Sequence, residues 1–326
     1  MEHVAIIGAT GVVGREIAHL LLTRSFPLRT LSCYASSRSA GKTVESIPVK
    51  PLQDDSFQKV DLIFFCAGAS VSRKYIPLAL KSGARVIDCS SAFRADPDVP
   101  LVIPEINPHA ITEHHRLIAS PNCAATILLL PLFPLHRLYR AKRIIVSTYQ
   151  AASGGGASLM NELKKETLSF LKEEPYQHQL PSPYAFNLFL HTSDLHEDGY
   201  VEEEKKILFE VRKILEDPLI RLSATCVRVP VLRAHAVSAN VEFHRPANLE
   251  EAHSALHAMP GLRLFEDRAK NRFPTPRDAT GIDEVLCGRV RFDSSHPTAL
   301  EFWAVGDQLL KGAALNAFQI AKLLPV

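Results

Sequence analysis

The stretch "VAIIGATGVVGREIAHLLLTR" (Val4–Arg24) does most to limit what this chain can fold into. An unbroken apolar run meets a glycine-rich turn, and apolar residues then recur at helical intervals. That order reads as a strand, a tight turn and a helix that opens directly from the turn. Pieces of the same kind follow: "TLSCYAS", "VDLIFFCAG", the helix-like "SRKYIPLALKSG", and "ARVIDCSS". These strands are apolar throughout rather than alternating. Both of their faces therefore need cover, which is the condition of a parallel sheet between helices. Strands and helices taken in turn predict a doubly wound α/β domain.

Beyond residue 123 the pattern changes. A helix over about 124–138 leads into the strand "KRIIVSTYQ", and "ASGGGAS" is a glycine-rich turn. "SLMNELKKETLSFLKEE" and "VEEEKKILFEVRKILED" are amphipathic helices on either side of a Pro- and His-rich stretch, 175–200, that reads as loop. The runs "SATCVRVPV", "HAVSANVEFH" and "VLCGRVRFD" suit a mixed or antiparallel sheet, and "ALEFWAVGDQLLKGAALNAFQIAKLL" a strand and a long helix. A length of 326 residues suits two domains. The expected division is a Rossmann-like dinucleotide domain over 1–122, completed by a C-terminal helix at about 304–326, and an α+β substrate domain with a mixed sheet over 123–303.

Composition removes several function classes. The net charge is +2, so no strong field recruits nucleic acid or membrane. No apolar run reaches the roughly 18 residues of a membrane span. The N-terminus enters a strand at once, without a basic n-region, and a cytoplasmic location is expected. The six cysteines are scattered with no C-x-x-C pair, so neither a metal site nor a disulfide framework is expected. Cys33, Cys66, Cys89, Cys226 and Cys287 sit in apolar runs and read as buried small hydrophobes.

The turn "GATGVVG" places Gly8, Gly11 and Gly14 between strand and helix, with Thr10, Val12 and Val13 among them. Glycines permit close approach of backbone to a phosphate, and the free amides at a helix start favour the anion. Such a turn also occurs without a ligand, so the context carries the reading. An NAD site would place a carboxylate at the end of the second strand. Here that strand runs into "SSRSAGK" instead, offering Ser36, Ser37, Arg38, Ser39 and Lys42. Hydroxyls and a guanidinium suit a 2′-phosphate, which favours NADP.

Cys123 stands apart from the other cysteines. In "ASPNCAAT" it follows a Pro-Asn pair where an apolar run gives way to a helix. A helix start favours the thiolate, the reactive form. From spacing alone the residue is either core filler or a covalent nucleophile.

The motifs "IIGATGVVG", "SSRSAGK", "FRADPDVPLVIPEIN", "SPNCAAT", "STYQAASGGG", "PYAFN", "SATCVRVPVLRAH" and "LLKGAALNAFQIA" together resemble the aspartate-β-semialdehyde dehydrogenase family, nearly end to end and in consistent order. The resemblance implies NADPH-dependent reduction of L-aspartyl-4-phosphate to L-aspartate 4-semialdehyde with release of phosphate, in lysine, threonine and methionine biosynthesis. It implies that Cys123 attacks the acyl phosphate to give an acyl-thioester, which hydride then reduces through a thiohemiacetal. His235 becomes the acid/base, and the near-neutral pKa of histidine suits proton transfer. Gln150 orients the acyl group, and Arg228 clamps the α-carboxylate. Glu204 takes the substrate amine, placed by counting back from "SATC". Arg94 and Lys206 are assigned to the phosphate, and Asn122, beside the nucleophile, is a substrate-site residue that either contacts the phosphate or sets the turn. Ser153 and Gly154 border the nicotinamide and phosphates, and Asn316 and Gln319 touch the cofactor. At residue 155 the chain has Gly where the family usually has Ala, which bears on turn stiffness. At least a dimer is implied, either a homodimer or a homotetramer.

The sister enzyme N-acetyl-γ-glutamyl-phosphate reductase is the alternative. Its nucleophile usually follows "PG", whereas this chain has "PN", and "TYQAASG" and "CVRVPVLRAH" also disfavour it. A non-catalytic protein of this fold would be expected to lose some of Cys123, Gln150, Arg228 and His235.

Overall fold

The computed structural model describes residues 2–324. Its contacts divide it into two compact units, one of residues up to Asn122 with those from Ala313 onward, the other Cys123–Gly312.

The first unit carries β1 (His3–Ile7), α1 (Val12–Thr23), β2 (Thr30–Ala35), β3 (Thr43–Val44), β4 (Ile47–Pro51), β5 (Leu62–Phe65), α2 (Ala69–Lys81), β6 (Arg85–Asp88) and β7 (Leu117–Ala119). The strands form one sheet in the order β3-β4-β2-β1-β5-β6-β7. All pairs are parallel except the short β3–β4 hairpin. Val4–Ile7 and Leu62–Phe65 are buried at every position, which is why their sequences do not alternate. The chain moves outward from β1 to β2 on one side and from β5 to β6 on the other. The C-terminal ends of β1 and β5 therefore form the switch-point crevice at which this architecture binds ligands. The C-terminal helix, Leu315–Leu323, packs on α1 and β6. Cys33 is buried as expected, but Cys66 and Cys89 are partly exposed. They lie one residue past the ends of β5 and β6, where the strands have left their cover.

The second unit holds α3 (Cys123–Tyr139), β8 (Ala141–Gln150), α4 (Gly156–Leu171), β9 (Phe189–Leu190), α5 (Glu202–Ile214), β10 (Arg221–Arg228), β11 (His235–Phe243), α6 (Leu249–Ala258), β12 (Leu262–Leu264), β13 (Val285–Phe292) and β14 (Ala299–Gly306). Its sheet runs β12-β13-β14-β11-β8-β10-β9. It is mixed: β8–β10 and β12–β13 are parallel and the other pairs antiparallel. α3 packs against β8, β11, β13 and β14 and is flanked by α5 and α6. Covered in this way, it is apolar on nearly every side. Residues 304–306, expected to open the returning helix, instead complete β14. A π-helical turn, Leu310–Ala314, then leads into the C-terminal helix.

Candidate active site

In the first unit the glycine turn is built for close approach. The Gly8 and Ala9 amides bond to the Tyr34 carbonyl at the end of β2. Gly8 has φ +84°, and a Cβ there would lie 2.7 Å from the Cys66 carbonyl oxygen. A Cβ on Gly14 would meet the Gly8 oxygen at 2.4 Å, so α1 can start against the turn only because this residue has no side chain. Val12 and Val13 open α1. Past β2, Ser37–Ser39 form a single 3-10 turn with Arg38 exposed. The Thr10 hydroxyl reaches the Ser39 hydroxyl at 3.3 Å, which joins the two candidate cofactor segments. A pinched glycine cradle at the end of β1 fits a dinucleotide.

In the second unit three neighbouring strands end together. Gln150 closes β8, Arg228 closes β10 and pairs with Gln150 in parallel register, and His235 opens β11 with Ala236 opposite Tyr149. All three side chains are buried. The Ala151 backbone fixes two of them. Its carbonyl accepts from Arg228 Nη1 at 2.7 Å, and its N–H donates to His235 Nδ1 at 3.0 Å. Because Nδ1 accepts, the neutral ring carries its proton on Nε2. Burial first, then the Arg228 charge, pushes the His235 pKa down to about 3. The imidazole is therefore neutral at neutral pH, and the expectation of a group titrating near 7 is corrected. His235 Nε2 and Gln150 Oε1 are buried without a hydrogen-bond partner among the described residues. Buried polar atoms are ordinarily satisfied, so two open ones at the same strand ends mark where a ligand's polar groups would be received.

The turn after β8 leaves no room to spare. A Cβ on Gly154 would lie 2.9 Å from both His235 Cε1 and Nε2 and 3.2 Å from Arg228 Nη1. The Ser153 hydroxyl accepts from Gln308 Nε2, and Gln308 Oε1 accepts from the Ala234 amide at 2.8 Å, which anchors the start of β11. Gly155 bears on more than turn stiffness. A Cβ there would meet Leu159 Cδ2 at 2.5 Å, so this chain fills with Leu159 the space an alanine would take.

Cys123 is the first residue of α3, at the positive end of the helix dipole, and is partly exposed. Gly312, which the sequence did not single out, backs onto it: a Cβ there would lie 2.8 Å from the Cys123 Cβ. Cys226 is buried, and burial pushes its thiol up to about 12.

Other candidates are redistributed. The Glu204 carboxylate accepts from the Val201 amide at 2.9 Å, capping α5, and from the Cys226 amide at 2.9 Å. It is engaged in structure. Glu203, one residue earlier, accepts from Gln150 Nε2 at 3.0 Å and lies 3.6 Å from Lys206 Nζ. The carboxylate that reaches Gln150 is thus Glu203, one residue before the expected Glu204 and about 100° from it around the helix. His191, in the stretch read as loop, meets Arg228 Nη2 at 2.8 Å. In the first unit, Arg94 donates to the Cys89 carbonyl at 3.0 Å, and Asn122 is buried. Asn316 Nδ2 donates to the Val102 carbonyl and the Ser120 hydroxyl, both at 3.0 Å, and Gln319 Nε2 to Glu105 at 2.9 Å. These amide nitrogens, expected to touch cofactor, tie the C-terminal helix to its own unit.

A dinucleotide cradle in one unit, and in the other an amide, a guanidinium and an imidazole at neighbouring strand ends, fit the class of dinucleotide-dependent dehydrogenases. Comparison with known proteins narrows this. Residues 3–114 match the family described as semialdehyde dehydrogenase, NAD binding domain, and residues 132–311 that described as semialdehyde dehydrogenase, dimerisation domain. Aspartate-semialdehyde dehydrogenase of Synechocystis sp. is 50% identical over 98% of this chain and 96% of its own length. The Bacillus subtilis enzyme of that name is 38% identical over 99% and 97%. The solved structure of aspartate semialdehyde dehydrogenase II from Vibrio cholerae, also determined in complex with ASA, superposes with a TM-score of 0.95 at 39% identity, covering 99% of this chain and 98% of that one. The chain belongs to the aspartate-semialdehyde dehydrogenase family.

Proposed function

We propose that this chain is a phosphorylating, NADP-dependent aspartate-semialdehyde dehydrogenase, converting L-aspartyl-4-phosphate to L-aspartate 4-semialdehyde and phosphate in the biosynthesis of lysine, threonine and methionine. The observation that carries the reading is the meeting of Gln150, Arg228 and His235 at one end of three adjacent strands, with Ala151 binding two of them. The Cys123 thiolate attacks the acyl carbonyl. A sulfur–carbon bond forms, the carbon–oxygen bond to phosphate breaks, and phosphate leaves with the electron pair. His235 Nε2–H donates to the acyl oxygen as negative charge develops there, and Gln150 steadies the same group. Arg228 holds the α-carboxylate through its planar fork. Glu203 rather than Glu204 receives the α-amine. Lys206 serves the phosphate, and the resemblance adds Arg94 to that role. The dinucleotide, when bound, supplies the hydride.

NADP rather than NAD is supported by Arg38, Ser36 and Ser37, exposed past the end of β2, and half-buried Ser39, with no carboxylate among Ser36–Lys42. A homodimer is supported by an exposed apolar cluster on α4 and the loop after it. Phe170 and Phe186, 64% and 63% exposed, lie 4.9 Å apart between ring centres, near exposed Leu171 and Leu188. No described helix is long and apolar enough to cross a membrane. Six free cysteines, one of them reactive, suit the reducing cytoplasm.

The reading is tested in reverse, as phosphate-dependent NADP reduction by L-aspartate semialdehyde. C123A is expected to retain less than about a thousandth of wild-type kcat, since loss of a nucleophile costs several kcal/mol of barrier. A preference for N-acetyl-γ-glutamyl semialdehyde, or for NAD, would overturn the substrate or the cofactor assignment respectively.

A further inference from the structure

Arg228 has more than one anchor. Beyond the Ala151 carbonyl, its Nη2 lies 2.8 Å from His191 Nε2. The contact follows from topology. β9 pairs antiparallel with the edge of β10, setting Phe189 opposite Arg228, and the His191 amide continues the ladder to the Cys226 carbonyl at 2.8 Å. The residue after this two-residue strand is thereby held beside the guanidinium.

The chemistry of the pair is one-sided. A guanidinium has donors only, so His191 Nε2 must offer a lone pair and the ring must be neutral. The other ring nitrogen, Nδ1, lies 3.1 Å from the Ser193 hydroxyl and also faces the Ser193 backbone N–H at 3.2 Å. That hydroxyl also accepts from the Glu203 amide at 3.1 Å, and the Glu203 carboxylate accepts from Gln150. Ser193 thus links the His191 ring to the Glu203 backbone, and the Glu203 side chain in turn holds Gln150. Burial supports the neutral ring by pushing its pKa down to about 4.

We infer that His191 is a positioning residue for the substrate carboxylate: its Nε2 lone pair and the Ala151 carbonyl hold two nitrogens of Arg228, so that the guanidinium meets the carboxylate in one fixed orientation. The inference rests on the reading of Arg228 as the carboxylate clamp. A flexible arginine with one anchor would bind the same carboxylate after paying more conformational entropy, so the effect falls on substrate affinity more than on turnover. It should also vanish for a substrate that has no carboxylate to place.

The test compares L-aspartate semialdehyde with 3-aminopropanal, which keeps the aldehyde and amine but lacks the α-carboxylate. H191L removes the acceptor at similar volume, and H191Q restores an acceptor through its amide oxygen. H191L is expected to raise KM for L-aspartate semialdehyde by about tenfold with kcat within about threefold, and to leave kcat/KM for 3-aminopropanal within about twofold. H191Q is expected to return KM to within about threefold of wild type. Equal behaviour of H191L and H191Q, or equal losses on both aldehydes, would overturn the inference. If H191L does not fold, H191A takes its place under the same criteria. R228A separates the two levels. If it loses activity equally on both aldehydes, the clamp reading itself fails. If it discriminates between them while H191L does not, the clamp stands and only the role of His191 falls.

Discussion

At the scale of single residues, the site is defined as much by side chains that are missing as by those present. Gly154 is the clearest case, because the imidazole edge and the guanidinium both occupy the space its Cβ would need. G154A must displace His235, Arg228 or the turn itself. The expected result is a fall in kcat/KM of about a hundredfold with the melting transition retained, read from steady-state kinetics beside thermal unfolding, since misplacement by about 1 Å is enough for such a loss. Gly312 stands in the same relation to Cys123. Steric absences of this kind are invisible in a sequence, which shows a glycine but not what presses on it. The sequence position of Cys123 at a helix start was legible because a thiol behind Pro-Asn before an apolar helical run is chemically unusual. His191 was not, because only the pairing of a two-residue strand puts it near Arg228. The "EEE" run at the start of α5 suits the helix dipole at all three positions, and only the fold decides which one faces Gln150.

At the scale of elements, the alternating pattern of the first unit was readable because parallel strands buried on both faces leave uninterrupted apolar runs. The second unit was legible as strands and helices but not in their order, since a mixed sheet depends on long-range pairing. Least readable was the stretch 175–200, which looks like free loop yet is fastened to α4. The Glu166 carboxylate, buried on that helix, accepts from the Tyr184 and Ala185 amides at 2.7 and 3.1 Å and meets His178 Nδ1 at 2.7 Å. Glu162 accepts from the Tyr176 hydroxyl at 2.8 Å and the Gln179 amide at 3.0 Å. E166A would strand two buried amides at once. A loss of on the order of 3 kcal/mol in urea unfolding is expected, together with faster proteolysis within 175–190, because an unsatisfied buried donor costs about 1–3 kcal/mol. Unchanged stability would mean that the loop finds other acceptors.

At the scale of the whole molecule, the imidazoles of His235, His191 and His136, all with pKa values lowered by burial, couple stability to pH. His235 and His191 are held at about 3 and about 4, chiefly by burial. In the unfolded chain each takes up a proton near 6.5. As pH falls below about 6.5 the unfolded state therefore binds more protons than the folded state, and stability declines until the folded pKa values are reached. Their contribution is complete above that range. Asp88, raised by burial, works in the opposite sense at the acid end. Urea unfolding free energies at pH 7 and pH 5 should differ in this direction, and H191Q should flatten the slope. A flat wild-type profile would mean that the rings charge freely in the folded protein.

The return of the chain from Ala313 into its first unit has a consequence for how the protein is made. Leu315, Ala317, Phe318, Ile320 and Ala321 are buried there, and the Phe318 ring lies 5.7 Å from that of Phe26. While a ribosome is still translating the second unit, the first has every strand of its sheet but lacks the helix that covers α1 and β6. It must wait, with apolar surface uncovered, through roughly 190 further residues, or about 10–40 s at typical synthesis rates. The earliest domain to emerge is thus among the last to be finished. A chain stopped after Gly312 is expected to lose dinucleotide binding and expose its first unit to protease while the second stays protected, an outcome that limited proteolysis with fragment mapping would read directly.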